Sequence, residues 1–165
     1  MCGVVGLRNA SFDFSADCLE HSLQQSPDDL EITDTNIIEK IKENNEFKEK
    51  VSSIVEQYSE TDFFDTKDNS ESFSFNNGDL FYALHNVYID VSGKKQLDNS
   101  WYLEIVLSDT YDFTELKKIE DYINNEDFIK SFGNSFINNF ALIATSCKVL
   151  NPYNITIKFT IDNWK

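Results

Sequence analysis

Arginine is almost missing from this chain: Arg8 is the only one among 165 residues. The planar fork that grips phosphate or carboxylate with two bonds is therefore nearly absent, because lysine offers only a point charge. Positive charge of any kind is scarce, with 14 Lys and Arg against 29 Asp and Glu, a net charge of −15 and a pI near 4.3. Binding to nucleic acid by direct phosphate electrostatics is excluded, since it needs a basic face. Docking on anionic membrane surfaces is disfavoured for the same reason. No apolar run approaches the ~20 residues that span a bilayer. The stretch Val4-Val5-Gly6-Leu7 is too short for a secretory signal. The expected location is the cytoplasm as synthesised, and export without a classical signal peptide stays open. The three cysteines (Cys2, Cys18, Cys147) are odd in number and far apart. They form neither a metal-ligand pattern nor a disulfide framework and are expected to be reduced thiols.

What the chain does have is enough apolar and aromatic content, 41% and 14%, to bury a core. Its charge is lopsided. Residues 1–79 carry 18 acidic and 6 basic side chains, and residues 80–165 carry 11 and 8. The first half is expected to be a solvated acidic region, and the core to lie in the second. Abundant Asn, Ile, Lys and Phe beside the arginine deficit match the codon bias of an AT-rich genome.

The periodicity predicts an α+β fold. It comprises an N-terminal helical region (1–60), a loop (61–78) and an α+β core (79–165), together making one compact unit. In the first part, Ile37, Ile41, Phe47, Val51, Ile54, Val55 and Tyr58 fall near one helical face, with Thr33 or Asp34 as the cap. The loop has room for one short strand at 72–75. From Asp79 to Val91 the residues Phe81, Ala83, His85, Val87, Ile89 and Val91 alternate as in a strand, although Leu80, Ala83, Leu84 and Val87 also fit a helical turn. Residues 92–100 are a polar loop centred on Gly93. Trp101, Leu103, Ile105 and Leu107 alternate to complete an antiparallel hairpin. Helices are expected over 116–129 and from about 134 to 147. Tyr153, Ile155, Ile157, Phe159 and Ile161 mark a half-buried C-terminal strand. The small antiparallel sheet, hairpin plus C-terminal strand, has helices on one face.

Chemistry concentrates at Asp109-Thr110-Tyr111-Asp112-Phe113, just beyond the second hairpin strand. Two carboxylates bracketing a tyrosine can hold a divalent cation or carry out acid–base work on a phosphoester. The run resembles the Asp-x-Tyr-Asp signature of colicin M-type bacteriocins, which cleave the undecaprenyl-linked precursor lipid II and need Mg2+. The resemblance implies Asp109, Tyr111 and Asp112 as catalytic positions, with Asp109 and Asp112 toward Mg2+. That family has a His-Arg pair shortly afterwards, where this chain has Thr114 to Ile119; His85 is a candidate acid–base group, and Lys117 and Lys118 are alternatives for the charge. The alternative is that Asp109 and Asp112 cap a helix beginning near Thr114 while Tyr111 and Phe113 plug the core. His85 itself shares a face with Val87 and Ile89 and can equally be a satisfied core residue. His21, in an acidic and glutamine-rich stretch, is taken as a surface residue.

The order of short patterns from Leu80-Phe81-Tyr82-Ala83-Leu84-His85-Asn86 to Pro152-Tyr153-Asn154-Ile155 resembles C-terminal domains of bacterial polymorphic toxins, which implies a role in interbacterial competition. Met1-Cys2-Gly3-Val4-Val5-Gly6, with Ser26-Pro27-Asp28-Asp29 and Asn77-Gly78-Asp79, resembles class II glutamine amidotransferases, where an N-terminal cysteine is the nucleophile and its own amine the base. The arginine of the matching segment is absent here.

The leading expectation is an effector domain of bacterial antagonism, a Mg2+-dependent hydrolase of a phosphoester such as a lipid-linked cell-wall precursor. The alternative is a non-catalytic acidic immunity protein or inhibitor that binds a basic protein partner. The amidotransferase-like hydrolase is the remote third.

Overall fold

Charge density misleads about where the chain is buried, because a helix can turn every charge to one side. The computed structural model describes residues 2–84, 86–111 and 151–165. The first half forms four amphipathic helices: α1 (Cys2–Asn9), α2 (Asp13–Ser22), α3 (Thr35–Glu43) and α4 (Asn45–Gln57). Phe14, Ala16, Cys18, Leu19, Ile41, Phe47, Val51 and Ile54 are all buried. The expectation that the core lies in the second half is corrected: the acidic half supplies much of it.

The single helix expected over this stretch is two helices. Asp34 caps the first, accepting from the N–H groups of Asn36 (2.7 Å) and Ile37 (3.4 Å). Asn44 then leaves helical geometry (φ −68°, ψ 137°), and its side chain accepts from Phe47 N–H at 2.9 Å, so one residue ends α3 and starts α4. The apolar stripe survives the break.

The fold is α+β, with a six-stranded, mostly antiparallel sheet. Its strands are β1 (Leu30–Ile32), β2 (Phe63–Asp65), β3 (Glu71–Ser74), β4 (Asn86–Lys95), β5 (Trp101–Tyr111) and β6 (Tyr153–Trp164). The order is β1-β6-β5-β4-β2, with β3 also paired to β4. The expected hairpin is present, from Tyr88 opposite Ser108 to Lys95 opposite Trp101. Its inner face carries Val87, Ile89, Val91, Leu103, Ile105 and Leu107, and β6 adds Tyr153, Ile155, Ile157 and Phe159, all buried. Phe47 of α4 packs on this face, its ring 5.8 Å from Phe159 and 6.3 Å from Phe73.

Four details differ from expectation. Residues 61–78 are not a loop with one strand; they hold β2, a 3-10 turn (Lys67–Asn69) and β3, anchored by buried Phe64, Thr66 and Phe75. Residues 79–84 take the helical alternative, as α5 (Gly78–Leu84), whose first residue, Gly78, is left-handed (φ 70°). Gly93 is not a turn centre. It lies within β4, paired with Phe64 and Leu103, and the ring of Phe64 crosses it so closely that a Cβ would overlap the ring edge; the turn comes at 96–100. The sheet is also not wholly antiparallel, since β1 runs parallel to β6 with Leu30 opposite Ile155 and Ile32 opposite Ile157.

The chain divides into two compact units, residues 1–28 with 110–153 and residues 29–109 with 154–165. The helices expected at 116–129 and 134–147 lie outside the described residues. Among those described, no helix is long and apolar enough to cross a membrane.

Thr66 completes the outer edge of β4 between β2 and β3: its N–H donates to Val91 O (3.0 Å) and its hydroxyl oxygen accepts from Val91 N–H (2.8 Å). Thr66→Val keeps the shape but leaves that buried N–H without its acceptor, so chemical denaturation should show a loss of about 1–3 kcal/mol. Thr66→Ser should recover most of it. At the other edge, the Asp29 carboxylate accepts from Asn154 N–H at 2.9 Å, which pushes its pKa below the ordinary carboxylate value. A depressed carboxylate stabilises the fold above the unfolded-state pKa, and that contribution is lost as pH falls through the folded-state value. Thermal melts from about pH 5 down to about pH 2 should therefore fall less steeply for Asp29→Asn than for the parent chain.

Candidate functional site

Alternation along β5 fixes where the chemical motif points. Trp101, Leu103, Ile105 and Leu107 face inward, and the strand continues past Leu107 to Tyr111 rather than ending there. Asp109 and Tyr111 therefore fall on the same face as the core residues, two positions and roughly 7 Å apart along the strand. Both are half-buried, while Thr110 faces the other way and is exposed. A residue inside a strand cannot be the N-cap of a helix beginning near Thr114, so the capping alternative is set aside for Asp109. His85 and Asp112 lie outside the described residues.

Tyr111 sits in an aromatic group that sequence reasoning did not assemble. Its ring is 5.3 Å from that of Tyr153, at the start of β6, and Tyr153 meets His21 edge-on at 4.6 Å. The Tyr153 hydroxyl donates to Cys18 O at 2.9 Å. His21, expected at the surface, is half-buried with both ring nitrogens engaged. Nε2 lies 2.8 Å from the Asp28 carbonyl, which can only accept, so Nε2 carries the hydrogen and Nδ1 faces the Gln24 amide at 3.2 Å. Alternation alone places Tyr153 in the core, and no local signal joins it to residues more than a hundred positions earlier.

Among the described residues, no three His, Cys, Asp or Glu side chains gather where they could share a metal ion. Of the two carboxylates assigned to Mg2+, only Asp109 is described, and one carboxylate does not define a magnesium cage. The single arginine is committed elsewhere. Arg8 Nη2 bonds Glu20 (2.8 Å) and Asp17 (2.7 Å), and these bonds raise the guanidinium pKa further. It lines an open recess of about 450 Å³ with Val4, Val5, Leu23 and Gln24. Cys2 opens helix α1, Asp29 is bound to Asn154, and Asp79 faces Lys40 at 3.5 Å, so Asp29 and Asp79 of the amidotransferase-like segments have structural partners.

The sheet's outer face is the other notable surface. Cross-strand register places Phe63, Lys94 and Tyr102 in one row and Asp65, Ser92 and Glu104 in the next. Asp90 faces Val106 in the third, and Ser72, Tyr88 and Ser108 form the fourth. Phe63 and Tyr88 are 63% and 57% exposed, and Asp65 and Glu104 are exposed beside them. On α3 and α4, Lys42 and Lys50 are held by Glu39 and Glu71, while Glu43, Glu49 and Glu56 face solvent. No family model, curated protein or solved structure matches the chain.

Tyr153→Phe removes one hydroxyl from a buried position and leaves the Cys18 carbonyl without that donor. It should lower stability by about 1 kcal/mol, read as a melting temperature about 2–4 °C lower for a chain of this size. Tyr153→Leu should cost more, because the ring contacts to Tyr111 and His21 go too.

Proposed function

We propose that the chain is an acidic binding protein that docks non-catalytically on a basic protein partner, as immunity proteins and inhibitors do in bacterial antagonism. The observation that carries this reading is the distribution of charge. The chain carries a net −15, and among the described residues exposed carboxylates lie on the helix faces and on the outer face of the sheet, while Lys40, Lys42 and Lys50 of α3 and α4 are tied to carboxylates. Such a field attracts a basic partner over a Debye length of about 8–10 Å and speeds encounter. It also disfavours association with other acidic surfaces. The open face adds exposed aromatic rings, which supply apolar contact once charge has steered the encounter.

A second reading, the effector hydrolase, is favoured by one observation: Asp109 and Tyr111 share a face at the end of β5. It assigns Asp109, Tyr111 and Asp112, with His85, to attack on a phosphoester.

The two readings separate on induction in a bacterial host, in the cytoplasm and separately behind an export signal, beside Asp109→Ala. The binding protein leaves viability unchanged in both compartments. It also retains a basic partner whose affinity falls about tenfold or more as NaCl rises from ~50 to ~300 mM. Killing by the parent chain that Asp109→Ala abolishes, with both proteins folded, would instead establish the hydrolase.

A further inference from the structure

We propose that the partner docks on the outer face of the sheet around Ser92, and that this face receives arginine side chains from a basic protein surface. The inference rests on the binding-protein reading above and names its site.

Ser92 is the centre of the patch. Asp65 on β2 and Glu104 on β5 lie directly opposite it on either side. Directly paired residues have Cβ atoms about 5 Å apart, so the two exposed carboxylates flank a small, half-buried side chain. Asp90, two residues before Ser92 on β4, faces the same way and brings a third carboxylate. Aromatic rings close the patch along the strands. Phe63 and Tyr102 lie in the row beyond Ser92, and Tyr88 lies two residues beyond Asp90. Lys94, between Phe63 and Tyr102, is the one cation within these rows, against three carboxylates.

Two of the carboxylates are already oriented. Asp65 Oδ1 accepts from Lys67 N–H at 2.9 Å, and Asp90 Oδ1 accepts from the Ser70 hydroxyl. Both bonds use Oδ1 and leave Oδ2. Holding these side chains in place before binding removes part of the ordering cost that a partner would otherwise impose. The rigid register of three paired strands does the same for their spacing.

The chemistry selects the occupant. A guanidinium matches a carboxylate with two parallel bonds and stacks on an aromatic face, whereas an ammonium does neither as well. Carboxylates flanked by Phe63, Tyr102 and Tyr88 therefore favour arginine over lysine. A second copy of this chain is a poor occupant. It carries the same −15, and its one arginine is bound to Asp17 and Glu20. Phosphate-rich surfaces are repelled by the same charge.

The test titrates the 15N-labelled full chain with two probe peptides, acetyl-(Arg-Ser)4-amide and acetyl-(Lys-Ser)4-amide, at low salt. The expected result is amide shifts centred on Asp65, Tyr88, Asp90, Ser92 and Glu104, with the arginine peptide bound severalfold more tightly. Tyr88→Ala, at an exposed position, should keep the melting profile and remove the arginine preference. Glu104→Gln should weaken binding about tenfold, equivalent to about 1.4 kcal/mol, and Glu49→Gln with Glu56→Gln on α4 should leave it unchanged. Shifts centred on the α3 and α4 carboxylates, equal for the two peptides, would overturn the docking site and leave the acidic binding protein standing. No binding of either peptide would overturn both.

Discussion

Strand β4 has backbone partners along both edges, and most of the second compact unit is organised by that requirement. One edge pairs continuously with β5. The other is completed piecewise: Asp62 O accepts from Lys95 N–H, β2 pairs from Lys94 to Ser92, Thr66 serves Val91, and β3 pairs from Ile89 to Asn86. Buried backbone groups left unpaired cost too much to persist, so a polar segment with few apolar residues is still held flat along the strand. The Phe64 ring covers Gly93, stacks on Tyr58 at 4.6 Å and meets Trp101 edge-on at 5.2 Å. That aromatic row, with Lys95 Nζ donating to Ser59 O at 2.8 Å, ties the end of α4 to the hairpin tip.

What the sequence discloses follows from how local each constraint is. Alternation over Trp101–Leu107 and Tyr153–Phe159 is a property of neighbouring residues, and the buried positions match it. Asp34 is legible as a cap because its bonds reach only two and three residues ahead. β1 is three residues long and exists by pairing with a strand 125 positions away, so nothing in Leu30–Ile32 announces it. β2 and Thr66 were hidden by polar flanks, since Phe64 alone among Phe63–Asp65 is buried. Gly93 signals a turn by type, and its pairing with Phe64 and Leu103 places it in a strand. For the candidate site, the shared face of Asp109 and Tyr111 follows from spacing, whereas the Tyr111–Tyr153–His21 group depends on non-local packing. The outer-face carboxylates were also invisible beforehand, because Asp65, Asp90 and Glu104 converge only through cross-strand register.

The period of a strand separates two selections that sequence composition mixes. Inner positions of β4 and β5 answer to packing, and their apolar content is what the fold requires. Outer positions are exposed or half-buried, and Ser, Thr and Asn at the exposed ones would satisfy the sheet equally well. Three carboxylates around Ser92 are a costlier choice, because like charges across neighbouring strands repel. Exposed Phe63 and Tyr88 likewise contribute little burial to the fold. A single exposed aromatic on a surface is ordinary. Two of them bracketing a like-charged group on one flat face serve neither solubility nor stability better than a plain polar face would. The core accounts for the inner half of each strand; the outer half finds its account in what it can receive.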